Sequence, residues 1–159
     1  MIEYQLDPID LRIIEELTVD ARLSFVKLAK KLKVSNTLVH QRIKKLKEAR
    51  ILNKATFLLD PQEIGYETSA FTQLMLAHTK YHRQTEIALK DIPEIVECVN
   101  IAGRYAIMVR IFARNNMHLR EVIYEKIHTL EGVEGTNTIM VFESAFSRQL
   151  PVSKINYEQ

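Results

Sequence analysis

A chain of 159 residues that is 47% apolar and 26% charged has the makeup of one folded domain or two small ones, not of a disordered polymer. No apolar run reaches the roughly 18 residues of a membrane-spanning helix, and the single Cys98 excludes an internal disulfide framework or a Cys-rich zinc site. The formal charge of +2 hides an asymmetry: residues 1–60 carry 12 basic and 8 acidic side chains, residues 61–159 carry 10 and 12. Between Lys27 and Lys54 stand ten Lys/Arg (27, 30, 31, 33, 42, 44, 45, 47, 50, 54) against Glu48 alone, a local +9 that points to a polyanionic partner. The opening Met-Ile-Glu-Tyr-Gln-Leu-Asp-Pro lacks the basic end and apolar stretch of a signal peptide, so a cytoplasmic setting without membrane partners is expected.

Asp7-Pro8 predicts a helix start, with Asp as N-cap and Pro at the first helical position. Ile9, Ile13, Ile14 and Leu17 then recur at helical spacing. The pattern breaks around Asp20-Ala21-Arg22. Ser24 can cap a second helix whose apolar face is Phe25, Leu28, Ala29 and Leu32. Lys33-Val34 makes a tight connection, and Ser35 can cap a third helix with Val39, Ile43 and Leu46 as its stripe. On a wheel of about 100° per residue, Thr37, Gln41 and Lys44 fall opposite that stripe, flanked by His40, Lys45 and Lys47. That face mixes groups that hydrogen-bond base edges with groups that neutralise phosphates. The pattern is a helix-turn-helix, whose second helix fits the major groove of B-DNA. The expected DNA contacts are Ser35, Asn36, Thr37, His40, Gln41, Arg42, Lys44, Lys45 and Lys47, with Lys30 as a further phosphate contact.

Ile51 to Leu59 reads as a short extended segment, a wing-like strand, before Asp60-Pro61 and Ile64-Gly65-Tyr66 form a connector. Beyond it, strand and helix alternate. Ala70–Ala77 reads as a strand, Tyr81–Leu89 as a helix and Ile95–Ile101 as a strand, punctuated by Gly103. Tyr105–Ala113 reads as another strand. Asn115 or Asn116 caps a helix that buries Leu119, Val122, Ile123, Ile127 and Leu130. Gly132 and Gly135 close that unit before a last strand, Thr136–Phe146. The order βαββαβ builds an antiparallel ferredoxin-like sheet with two helices on one face. Its other face is left bare and rich in apolar residues, so a homodimer is expected. The fold class is therefore α+β. A helix-turn-helix domain (1–52) and a wing-like strand with its connector (53–67) precede a βαββαβ oligomerisation domain (68–159).

These pieces resemble the Lrp/AsnC (leucine-responsive, feast/famine) family of prokaryotic transcription regulators. The resemblance rests on Leu6-Asp7-Pro8-Ile9-Asp10, Ile13-Ile14-Glu15-Glu16-Leu17 and Asp20-Ala21-Arg22. It continues through Leu28-Ala29-Lys30-Lys31-Leu32, Val34-Ser35-Asn36-Thr37, Val39 and Arg42-Ile43-Lys44-Lys45-Leu46. The second half contributes Ala102-Gly103-Arg104-Tyr105, Gly132 to Thr138 and Leu150-Pro151-Val152. The resemblance implies a second domain that senses small ligands, typically amino acids bound between dimers. It also implies dimers that gather into tetramers or octamers. The family's turn usually reads Gly-x-Tyr/Phe-Asp; here Ala106 replaces the Asp, the natural partner of an ammonium group. Gly103, Arg104, Tyr105, Thr136 and Thr138 are the expected effector contacts. A weak response to free amino acids, or an anionic effector, follows from the missing carboxylate.

Two other readings compete. One is an enzyme on the same scaffold, similar to sirohaem decarboxylases, drawing on His40, His78, His82, His118 or His128; the other is an architectural DNA-wrapping protein. His78 and His82 are spaced to share a helical face as metal ligands, but they straddle a predicted strand–helix junction. No phosphate loop, nucleophile signature or HExxH motif appears. A non-enzymatic regulator without cofactor or metal is the expectation, because a decarboxylase has no use for +9 on a helix-turn-helix.

Overall fold

The computed structural model describes residues 4–152. By backbone proximity the described residues form two compact units, 4–58 with 146–152, and 59–145.

The first unit holds three helices, α1 (Pro8–Val19), α2 (Phe25–Leu32) and α3 (Asn36–Glu48), each starting where a capping side chain predicts. Asp7 accepts from the N–H groups of Ile9 and Asp10, and the Asp10 carboxylate returns a bond to the Asp7 N–H, a capping box that satisfies three otherwise orphaned donors. Ser24 caps α2 and Ser35 caps α3. Lys33 closes α2 with a left-handed φ of 58°, and Arg50 closes α3 with the same φ. Behind Arg50, the N–H groups of Ile51 and Leu52 both bond the Leu46 carbonyl. The core is Ile13, Ile14, Leu28, Ala29, Leu32, Val39, Ile43 and Leu46, the residues the periodicity selects.

Two expectations change here. The segment Ile51–Leu59 forms no strand, and Phe57, Leu58 and Leu59 are largely exposed. A lone extended segment has no neighbour for its ladder hydrogen bonds, so strand propensity alone does not make one. Residues 146–152, expected with the second domain, group with the helical unit instead, where Val152 packs on the apolar core.

The second unit has the order β1 (Thr68–Leu76), α4 (His82–Lys90), β2 (Ile95–Asn100), β3 (Ile107–Ala113), α5 (Asn116–Glu121) and β4 (Val133–Val141). All pairs are antiparallel, in the spatial order β2-β3-β1-β4. Strict alternation sends Ala70, Thr72 and Leu74 of β1 and Ile107, Val109, Ile111 and Ala113 of β3 to the helix-covered face. Leu89, Ile92, Leu119, Val122, Ile123 and Ile127 close the core from above. The last strand begins at Val133 and stops at Val141, not at Phe146, because Ser69 is the first residue of β1 that pairs with it. Beyond Val141 only Thr68 of β1 remains, and the ladder ends there. Similarly, Tyr105 and Ala106 belong to the turn, since β3 starts at Ile107. The helix capped by Asn115 widens into a π-helical stretch, Val122–Ile127, a rare geometry that recurs at functional sites. Gly132, at a φ of 85°, passes so close to the Tyr81 ring that a Cβ would collide with it.

Glu94 ties this helix down. Its Oε1 accepts from Lys126 Nζ at 2.7 Å and meets His118 Nε2 at 3.1 Å, while Oε2 is buried without a partner among the described residues. Burial pushes this carboxyl up, but the Lys126 ammonium, its own backbone N–H and His118 outweigh that and hold it below the usual carboxylate range. A depressed carboxyl stabilises the fold above its unfolded pKa and loses that contribution as pH falls through the folded one. Glu94→Gln is therefore expected to destabilise this unit by about 1–3 kcal/mol at pH 7. The gap to the unsubstituted chain should narrow from about pH 5 downward. Urea unfolding at several pH values checks both.

Candidate functional site

Helix α3 presents two faces. Val39 and Leu46 are fully buried and Ile43 nearly so. Thr37, Gln41 and Lys44 lie exposed on the opposite side, and His40, Lys45 and Lys47 are exposed beside them. Ser35 spends its hydroxyl on the Leu38 N–H, so it orders the helix start, and Asn36 is exposed at the first turn. The His40 ring meets the Phe25 ring edge-on at 4.7 Å, which fixes its position against α2.

The cations divide by partner. Lys31 pairs with Glu16, and Lys44 lies 3.9 Å from Glu48 in an exposed pair of little consequence. Lys27, Lys30, Lys33, Lys45, Lys47, Arg50 and Lys54 form no ion pair among the described residues, leaving a strong positive field around α2 and α3. Arg42 departs from its expected role. Its Nη1 lies 2.6 Å from Asp7 Oδ2 and 3.4 Å from Asp10 Oδ2, so the guanidinium faces the start of α1 instead of joining the exposed row. Asp10 is fully buried, and a buried carboxylate draws in a cation that the local sequence offers equally to DNA. Burial pushes Asp7 up, but the N–H of Asp10, the Arg42 charge and the N–H of Ile9 bring its carboxyl below the usual range.

In the second unit the expected effector residues do not form one pocket. Gly103 takes a φ of 133° in the β2–β3 turn, a conformation that suits glycine. Arg104 lies 5.9 Å over the Tyr105 ring. Ala106 is partly buried against the core and its N–H bonds the Leu74 carbonyl, so a methyl group stands where the resemblance implies a carboxylate. The threonine hydroxyls already have partners, Thr136 with His128 Nε2 at 2.8 Å and Thr138 with Thr72 at 3.1 Å.

Of these five residues, only Thr138 lines the recess of about 370 Å³ formed with Asn116, Leu119, Arg120, Ile123, Tyr124 and Met140. The floor is apolar. Arg120 lies 5.3 Å over the Tyr124 ring, and forms no ion pair among the described residues. No acidic side chain lines the recess. The sequence offers Asn116 only as a helix cap and gives Arg120 and Tyr124 no role, although their four-residue spacing is a readable stripe along one helix face. The four histidines of this unit do not gather: His78 caps a 3₁₀ turn, His82 faces Glu86, His118 is held by Glu94, and His128 by Thr136. No group of three metal-ligating side chains occurs among the described residues, and no described helix is long and apolar enough to cross a membrane.

A basic helix-turn-helix unit joined to a βαββαβ unit defines a DNA-binding regulator with a sensing domain. Comparison with known proteins agrees. A family model described as the AsnC-type helix-turn-helix domain matches residues 6–47, and one described as the Lrp/AsnC ligand binding domain matches residues 69–151. The chain is 29% identical over 150 residues to the regulatory protein AsnC of Escherichia coli (strain K12), covering 94% of this chain and 99% of that one. It is 34% identical over 140 residues to the HTH-type transcriptional regulator FL11 of Pyrococcus furiosus, covering 87% and 90%. The solved structure of E. coli AsnC superposes with a TM-score of 0.87 at 28% identity, over 92% of this chain and 99% of that one. The chain belongs to the Lrp/AsnC family of transcription regulators.

The free cations set an expectation for affinity. Each phosphate neutralised steepens the log K against log salt slope by about 0.9. Lys45→Gln should therefore weaken binding to all duplexes about equally and flatten that slope by about 0.9, measured by fluorescence anisotropy across a salt series. A slope already flat in the unsubstituted chain contradicts phosphate contact.

Proposed function

We propose that this regulator reads the DNA major groove with Thr37, Gln41 and Lys44, while Asn36, His40, Lys45, Lys47 and Lys30 hold the phosphate backbone. The observation that carries this reading is the exposed polar row of α3 directly opposite its buried stripe, within a field of unpaired cations. The Gln41 amide matches the two edge groups of adenine, and a Lys44 ammonium the acceptors of guanine. We assign no catalytic step, cofactor or metal to the chain, and the regulatory names of its relatives support a cytoplasmic regulator.

The assembly reading rests on the sheet. Phe71, Met75, Met108, Phe112 and Ile139 alternate onto the face opposite the helices. The Arg110 guanidinium lies 5.4 Å over Phe71 and 4.9 Å over Phe112, and its buried Nε has no acceptor among the described residues. A second copy laid on this face removes its apolar surface from water. Two-fold symmetry then implies a roughly palindromic site with half-sites about one helical turn apart or a multiple of it. Gln41→Ala should relax preference at one position of each half-site by about 1–3 kcal/mol. Competition binding with single-base variants of a selected site tests this; equal weakening on every sequence removes Gln41 from base reading.

For the effector, the recess beside α5 and β4 favours a small organic anion with an apolar body. Arg120 and the Asn116 amide offer donors to a carboxylate, and neither the recess nor Ala106 offers an acceptor to an ammonium. Calorimetry should show a branched 2-keto acid binding more tightly than the matching amino acid, with Arg120→Gln weakening it about 10–100-fold. Tight binding of the amino acid, indifferent to Arg120→Gln, excludes this recess and this ligand class.

A further inference from the structure

We infer that Arg42 is the positioning residue of the recognition helix: it fixes the rotation of α3 about its own axis by bracing it against the start of α1, and contacts no phosphate. The inference rests on the reading of α3 as the base-reading helix.

The apolar stripe of α3 is non-directional. Val39, Ile43 and Leu46 are satisfied by any rotation that keeps them in the core, and packing of this kind tolerates small turns of a helix. A hydrogen-bonded ion pair does not, because its distances are short and its partners fixed. Arg42 adjoins both Gln41 on the exposed row and Ile43 on the buried one, so restraining it restrains the whole row.

Its partners are themselves held. Asp7 Oδ1 is bonded to the N–H groups of Ile9 and Asp10 at 2.9 Å each, which leaves Oδ2 for Arg42. Asp10 Oδ2 also accepts from Tyr4 Oη at 3.0 Å and the Asp7 N–H at 3.2 Å. Among the described residues, every ion pair of Asp7 and Asp10 is made with Arg42. Because Asp10 has no exposed surface, its charge requires that cation. The brace thus links the capping box of α1 to the middle of α3, one residue from Gln41.

The test compares Arg42→Gln with Lys45→Gln on two duplexes, one selected by the full chain from a randomised pool and one of random sequence, across a salt series. Arg42→Gln should lower affinity for the selected duplex at least tenfold. It should hold the random duplex within about threefold and leave the salt slope unchanged, since no phosphate is lost. Lys45→Gln should do the reverse, weakening both duplexes alike and flattening the slope by about 0.9. A slope flattened by about 0.9 in Arg42→Gln with discrimination intact makes Arg42 a phosphate contact and overturns the inference. Unchanged slope with unchanged discrimination overturns it equally. Should Arg42→Gln not fold, Arg42→Lys keeps the charge but not the guanidinium geometry, and must still lose discrimination. A double-mutant cycle of Arg42→Lys with Asp10→Asn on thermal stability reads the brace without DNA: non-additive shifts are expected, and additive ones refute it. If the unsubstituted chain selects no sequence, base reading by α3 fails while this cycle still decides the brace.

Discussion

A carboxylate with no exposed surface, Asp10, governs the helical unit. Taking a charge out of water costs several kcal/mol unless other groups replace the lost hydration. Here the replacements come from three directions: the Asp7 N–H within the capping box, the Tyr4 phenol, and the Arg42 guanidinium of α3. The same group therefore starts one helix and anchors another. In the proposed reading, the exposed row of α3 takes its geometry from a contact made at the edge of the buried stripe. Affinity and discrimination have separate sources under that reading: exposed lysines for the first, an internal contact for the second.

The second unit depends on a different imbalance. Two helices cover one face of a four-stranded sheet, and alternation along β1 and β3 leaves phenylalanines and methionines on the other. Arg110 lies over two of those rings with a buried nitrogen unmet. This apolar bare face is what the proposed pairing with a second copy rests on. On the covered face, the π-helical stretch contributes Ile123 and Tyr124 to the recess, and Glu94 holds that helix at both His118 and Lys126. The recess wall is consequently a pinned element, suited to a ligand of defined shape.

Fold legibility followed the strength of local signals. Asp7, Ser24 and Ser35 start their helices where a side-chain acceptor precedes an apolar period, and all three are caps in the structure. The βαββαβ order was equally readable from alternation and punctuation. Strand ends were not, because they depend on a partner's length: β4 stops within a residue of where β1 begins, and Ile51–Leu59 pairs with no strand among the described residues. The recess was not legible, because Asn116, Arg120 and Tyr124 lie on a helix whose polar stripe looks like an ordinary solvated face.

The amino-acid sequence alone determined the family, the two-part architecture, the buried stripe of α3 and the exposed row opposite it. These follow from periodicity, capping and charge, all of which act within a few residues of chain. Tertiary structure alone decided the fate of Arg42, of Ala106 and of the threonine hydroxyls. Helical phase leaves Arg42 between the exposed row and the buried stripe, and a buried carboxylate 32 residues away in sequence claims it. Likewise Thr138 meets Thr72 across 66 residues, a pairing set by strand register. Which polar groups remain free to meet a ligand is a property of the assembled fold, because each must first satisfy, or fail to satisfy, its neighbours in space.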